Sequence, residues 1–160
     1  MGKMVVVKGD AVQGKKDMHI VSGMTLPPPP PVTYSGSGTF PYNGAITDGL
    51  STFVTIGGQP VALKTSQSSL NPGELKSGGG HDPTMGIPPY APPNANPVTL
   101  TFLPPVIGVG VPNAASGSAL LTVGGVKVLL DGDKIDTCDG TGSANSTVTA
   151  SGQSFLSCSG

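Results

Sequence analysis

Residues 51–63 read Ser51-Thr-Phe-Val-Thr-Ile-Gly-Gly-Gln-Pro-Val-Ala-Leu63, and residues 118–130 read Ser118-Ala-Leu-Leu-Thr-Val-Gly-Gly-Val-Lys-Val-Leu-Leu130. In both stretches an apolar, β-branched run meets a Gly-Gly pair, and a second apolar run follows it. A two-residue Gly-Gly connection between such runs is a strong short-range signal for a β-hairpin. Because the segment between the two copies is long and rich in Gly and Pro, the repeat predicts a hairpin fold with a long insertion rather than a short-period solenoid.

The composition limits the kind of protein that these hairpins can build. The 160 residues include 25 Gly and 17 Pro, and aromatic residues make up 4% with no Trp. We therefore expect one all-β domain over residues 1–160 with a thin core. Because there are too few large side chains to line an enclosed active site, we do not expect an enzyme. The net charge of -1 and the absence of Arg argue against nucleic acid as a partner.

The remaining sequence predicts short strands separated by irregular segments. Met4 to Lys8 and His19 to Gly23 are expected to form a first small hairpin, and Ser146 to Ser157 a closing pair of strands. The Pro-rich stretch 24–45 predicts a polyproline segment followed by a loop, not a central strand. The stretch 65–112 predicts a loop-rich insertion with one strand. We expect no helix, no membrane span and no signal peptide.

A small hairpin domain with little core needs an additional source of stability. The candidates are the two His and two Cys of the chain, His19, His81, Cys138 and Cys158. Four such ligands are the number that a closed tetrahedral zinc site uses, although their spacing carries no local metal signature. The residues alone leave three alternatives open: a zinc site, a Cys138–Cys158 disulfide, and unlinked thiols with ordinary surface histidines.

Several segments of the chain resemble PAAR-repeat proteins, the sharpened tips of contractile injection systems such as type VI secretion systems, phage tails and extracellular contractile particles. The segments that carry the resemblance are Val7-Lys-Gly-Asp10, His19-Ile-Val-Ser-Gly23, Thr55 to Leu63, Thr122 to Leu130, Asp131-Gly-Asp133 and Thr149 to Cys158. The chain departs from the family in its Pro-rich stretch and its insertion. The tetrapeptide Pro-Ala-Ala-Arg is also absent, and the corresponding positions read Pro60-Val-Ala-Leu63 and Lys127-Val-Leu-Leu130.

The resemblance implies a cone of short antiparallel strands with approximate threefold symmetry. It implies a metal ion near the vertex, zinc or iron, with His19, His81, Cys138 and Cys158 as its ligands. It further implies a base that caps a trimeric β-helical spike of the VgrG type, a role in membrane piercing with transient contact to the target membrane, and attachment of effector cargo. The protein would stay in the cytoplasm until it joins the injection particle. In such a cone we expect the hairpin side chains to be core rather than interface, namely Phe53, Val54, Ile56, Leu120, Leu121 and Val123.

Two other functions are compatible with the residues. An enzyme would use the His/Cys set as an open zinc site with Asp82, Asp136 or Asp139 as the general base. A binding module rich in Ser, Thr and Gly would use loops with Tyr34, Tyr42 and Tyr90 to hold a carbohydrate or a protein.

Overall fold

The computed structural model describes residues 2–25, 33–74, 97–102, 108–137 and 146–158. Within these ranges there is no α-helix, and the expected all-β fold is confirmed. The chain forms one 3₁₀ turn at Pro72–Glu74 and the strands β1 Lys3–Met4, β2 Ala11–Thr25, β3 Thr33–Asp48, β4 Thr55–Ile56, β5 Gln59–Pro60, β6 Gln67–Leu70, β7 Pro97–Phe102, β8 Val109–Pro112, β9 Thr122–Val123, β10 Val126–Lys127, β11 Lys134–Thr137, β12 Ser146–Thr149 and β13 Ser157–Cys158.

Six of the strands close into an antiparallel barrel. They follow the order β12-β11-β8-β6-β3-β2, and β12 pairs back onto β2. Strand β7 lies outside this ring and pairs with the part of β2 from Val21 to Thr25. The main core is a single cluster of buried side chains, Val6, Val12, Tyr42, Ile46, Ala62, Leu70, Leu129, Ile135 and Val148. Closure leaves the six strands without a free edge where they pair around the ring.

The two Gly-Gly hairpins are confirmed. Strand β4 pairs with β5, and β9 pairs with β10. Gly57 and Gly58 have φ angles of 58° and 82°, and Gly124 and Gly125 have φ angles of 58° and 80°. Positive φ at both central residues is the geometry of a type I′ turn, and its twist matches that of the flanking strands.

A third hairpin is assembled from the two ends of the chain. Strand β1 pairs with β13, so that Lys3 lies opposite Cys158 and Met4 opposite Ser157. The expected pairing of Met4–Lys8 with His19–Gly23 is therefore wrong, and so is the expected closing strand pair within Ser146–Ser157. Both expectations paired neighbours along the chain, whereas these segments find their partners across it.

The three apolar runs that follow the hairpins meet around a pseudo-threefold axis. The Val6 amide donates to the Leu129 carbonyl at 3.0 Å, the Leu129 amide to the Ala62 carbonyl at 3.0 Å, and the Ala62 amide to the Val6 carbonyl at 2.9 Å. All three residues are fully buried. The hydrogen bonds form a closed ring, so each run supports the next and the third supports the first.

Each apolar run ends in the same kind of corner. A side-chain oxygen three residues further on accepts a hydrogen bond of 2.8 Å from the backbone amide. The pairs are Val7 with Asp10, Leu63 with Ser66, and Leu130 with Asp133. After each corner the chain enters the barrel, through β2–β3, β6–β8 and β11–β12. The repeating unit is thus a hairpin, a corner and a pair of barrel strands.

The part of the segment 24–45 expected to be a loop differs from its prediction, whereas the expected polyproline segment at residues 27–31 lies outside the described ranges. Instead of a loop, Thr33–Asp48 forms β3, which pairs with β2 on one side and with β6 on the other. The many glycines permit this because strands approach closely there: a Cβ at Gly44 would lie 2.3 Å from the Ser69 carbonyl oxygen. The described part of 65–112 contains β6, β7 and β8 rather than one strand.

Candidate docking surface

The three hairpins share the same turn just before their first strand. A side-chain oxygen accepts hydrogen bonds from the backbone amides two and three residues further along the chain, and so holds the chain in a tight turn. The bonds to the third residue measure 2.9, 2.9 and 2.8 Å. The oxygens belong to Ser51, which holds Phe53 and Val54, to Ser118, which holds Leu120 and Leu121, and to Gln153, which holds Phe155 and Leu156.

This turn leaves a large apolar side chain of each hairpin mostly in the solvent at the same position, and in the chain-end hairpin Leu156 is exposed as well. Phe53 is 72% exposed, Leu120 is 72% exposed and Phe155 is 80% exposed. The expectation that Phe53 and Leu120 belong to the core is therefore wrong. Their amides are bound to the capping oxygen, and this bond turns the side chain outward. We call Phe53, Leu120 and Phe155 the apolar triad.

The two phenylalanine rings of the triad lie against neighbouring hairpins. A Cβ at Gly124 would lie 3.5 Å from Phe53 Cζ, and a Cβ at Gly57 would lie 3.8 Å from Phe155 Cε2. Each phenylalanine of one hairpin therefore stands beside the glycine turn of the next. Leu120 occupies the position equivalent to Phe53 and Phe155. By the same threefold relation, the hairpin next to Leu120 is the one formed by the chain ends.

A second core cluster lies beneath the hairpins, on the side opposite the solvent. Its buried members are Val5, Val61, Leu63, Val128 and Leu130, and half-buried side chains of the hairpins pack against them, namely Val54, Ile56, Leu121, Val123, Val126 and Cys158. The expectation of core positions thus holds for Val54, Ile56, Leu121 and Val123 as contributors to this cluster. The hairpins therefore rest on a packed layer, which holds the triad at fixed spacing.

The structure places the four residues of the metal hypothesis as follows. His19 lies on β2 opposite Gly38, eight residues beyond Ala11 and so about 26 Å further along the strand. Its side chain, like residues 81 and 138, lies outside the described part of the chain. Cys158 lies in the chain-end hairpin. The described contacts do not bring His19 and Cys158 together.

Cys158 occupies an apolar position. It packs with the second core cluster, in the place that Ile56 and Val123 take in the other hairpins, and its Sγ lies 3.5 Å from Ser118 Oγ. Among the described residues no three His, Cys, Asp or Glu side chains form a group that could hold a metal ion. The four-ligand set stays a prediction.

Two residues from the alternative functions have structural partners. Tyr42 is fully buried, and its hydroxyl forms a hydrogen bond of 2.9 Å with Ser68 Oγ. Asp136 accepts hydrogen bonds from Asn113 Nδ2 at 3.0 and 3.1 Å. Asp82, Asp139 and Tyr90 lie outside the described ranges, as does the side chain of Tyr34.

Sequence reasoning missed Phe155 and Gln153. The signal was present, because Gln153-Ser-Phe-Leu-Ser-Cys158 has the same pattern as Ser51-Thr-Phe-Val-Thr-Ile56. The pattern is easy to overlook because no Gly-Gly pair follows Cys158 as it follows Ile56 and Val123.

Comparison of the chain with protein-family models, with curated proteins and with solved structures finds no match. In the ranges that the structure describes, none of the helical segments has the length and apolar character that a membrane crossing requires.

Proposed function

We propose that this protein is a PAAR-like spike tip that caps a trimeric β-helical spike and sharpens a contractile injection device. The observation that carries the proposal is the apolar triad, three large exposed side chains at equivalent positions of three hairpins. Exposed apolar side chains that are organised rather than scattered indicate an interaction surface. Their threefold arrangement suits a partner with threefold symmetry.

A single chain matches three identical subunits only if it presents the same surface three times. The hairpins, the corners and the ring of hydrogen bonds among Val6, Ala62 and Leu129 all repeat in this way. Each spike subunit would then receive one hairpin. Burial of each triad side chain would contribute about 1.5–3 kcal/mol, which makes the three together the main source of affinity.

The strands that extend beyond the barrel, on the side away from the hairpins, are consistent with a pointed tip. Strand β2 pairs with β12 as far as Gly14 and continues to Thr25, about 36 Å of further strand, accompanied by β3 and by β7. In this proposal the arm beyond the barrel forms the end that meets the target membrane. Because the described contacts do not unite His19 with Cys158, the proposal does not depend on a metal ion.

The experiment is a titration of the purified chain against the trimeric β-helical spike protein of an injection particle from the same source, by calorimetry. We expect binding that is weakened at least about tenfold by Leu120→Asp and by Phe53→Asp, since each places a charge at a buried contact. Val111→Asp is the matched control, because Val111 is also exposed, at 45%, but lies on the barrel strand β8. Equal effects of all three substitutions, or no binding by the folded wild type, would refute the proposal.

A further inference from the structure

The hairpins that carry the apolar triad contain basic residues but no acidic ones. They consist of residues 2–4 with 153–158, residues 51–60 and residues 118–127, and these segments contain two lysines, Lys3 and Lys127, and no acidic residue. Both lysines are exposed. All nine acidic residues of the chain lie elsewhere. The hairpin layer is therefore positive, although the whole chain carries a net charge of -1.

The described acidic side chains lie outside the hairpin segments, at the corners and on the barrel. Asp133 comes nearest to them, because its carboxylate also accepts a hydrogen bond from the Gly117 amide beside the hairpin of residues 118–127. Four of them accept hydrogen bonds from backbone amides and one from an asparagine side chain. They are Asp10, Asp48, Asp131 and Asp133, with Val7, Gly49, Ala150 and Leu130 among their donors, and Asp136 with Asn113. These carboxylates serve the fold, whereas Lys3 and Lys127 stand beside the surface left open for a partner.

From this distribution we propose that the docking surface recognises a protein partner whose matching face carries carboxylates around its apolar contact points. The inference rests on the proposed function and adds the chemistry of the partner. Opposite charges at the rim of an apolar contact steer association and exclude partners of like charge. The two lysines lie on different hairpins at neighbouring register positions, since Lys3 corresponds to Gln59 and Val126 whereas Lys127 corresponds to Met4 and Pro60. In a homotrimer, each lysine would therefore meet a carboxylate of a different subunit.

Apolar side chains beside lysines also suit an anionic lipid surface. The structure favours a protein, because the triad residues are held apart at three equivalent positions on rigid hairpins. Lipid insertion requires no such symmetry. Phe53 and Phe155 also lie against glycine turns, which fixes their spacing as a discrete partner requires.

The test measures the dissociation constant of the chain for the spike trimer at about 50 mM and about 500 mM NaCl, where the Debye lengths differ about threefold. The variants are Lys3→Glu and Lys127→Glu, alone and together. Lys134→Glu is the control, since Lys134 is exposed on the barrel strand β11. We expect the double variant to bind about tenfold more weakly at low salt and less than about twofold more weakly at high salt, with the control unchanged.

Three outcomes are decisive against the inference. If the wild type binds and the double variant behaves as the Lys134→Glu control at both salt concentrations, the charges play no part and the inference fails while the proposed function stands. If the folded wild type does not bind the trimer at either salt concentration, the proposed function fails first. If the wild type instead binds vesicles of phosphatidylserine and phosphatidylcholine, and the two lysines control that binding, the partner is a lipid surface and the inference is overturned.

Discussion

Replacing the buried Asp10 by Ala should weaken the fold more than removal of any exposed or half-buried carboxylate that the structure describes. Asp10 is 1% exposed, and its carboxylate accepts hydrogen bonds from the amides of Val7, Ser151 and Gly152 at 2.8, 2.8 and 2.7 Å. These bonds join the first corner to the segment that leads into the chain-end hairpin. Asp10 therefore holds the two ends of the chain together.

The magnitude follows from the surroundings of the three donors. The Val7 amide is buried, and leaving it unpaired costs about 1–3 kcal/mol. Ser151 and Gly152 are exposed, so water replaces part of their bonds and each loss is about 0.5–1 kcal/mol. The total is about 2–5 kcal/mol, which corresponds to a fall in the melting temperature of about 4–20 °C for a chain of this size.

The assay is urea unfolding followed by circular dichroism, with thermal melting as a second measurement. Asp48→Ala is the matched control, because Asp48 is exposed and binds only the amide of its neighbour Gly49. Asp10→Asn should give an intermediate loss, since one acceptor oxygen remains. If Asp10→Ala unfolds within about 1 kcal/mol of the control, the carboxylate does not hold the chain ends together and the reasoning is wrong.

Two further predictions concern the hairpin turn and the metal hypothesis. Gly125→Ala should destabilise the fold by about 1 kcal/mol, because φ is 80° and no atom lies within 4 Å of a new Cβ, and Gly125→Asn should recover most of this loss in the same unfolding assay. A stability loss that is equal for Ala and Asn would exclude backbone strain as the cause. If His19 and Cys158 bind the expected zinc or iron, elemental analysis should find about one ion per chain, and His19→Ala or Cys158→Ser should remove it and lower the melting temperature. Unchanged metal content in both variants would dismiss these two residues as ligands.

The sequence predicted the parts of the fold that depend on neighbouring residues. The Gly-Gly pairs at 57–58 and 124–125 specify a tight turn by their backbone freedom alone, and the apolar runs beside them could be assigned to strands. Pairings between distant segments could not be obtained this way. Strand β1 finds β13 at the other end of the chain, and only the repeated pattern at residues 153–158 indicates it.

The candidate site was misjudged for a related reason. Apolar residues in a strand pattern predict burial, and this is correct for Val54 and Leu121. Phe53 and Leu120 precede them and have the same apolar character, but the capping hydroxyls of Ser51 and Ser118 turn them outward. That geometry depends on a side-chain hydrogen bond, which hydrophobic periodicity does not report.

The most direct test of the account is the mass of the complex between this chain and the trimeric β-helical spike protein, measured by native mass spectrometry. The account predicts one copy of the chain on three spike subunits, and loss of that species when Phe53, Leu120 and Phe155 are all replaced by Asp. A complex with three copies of the chain on one trimer, or an unchanged complex with the triple variant, would contradict the claim that one chain presents three equivalent docking points.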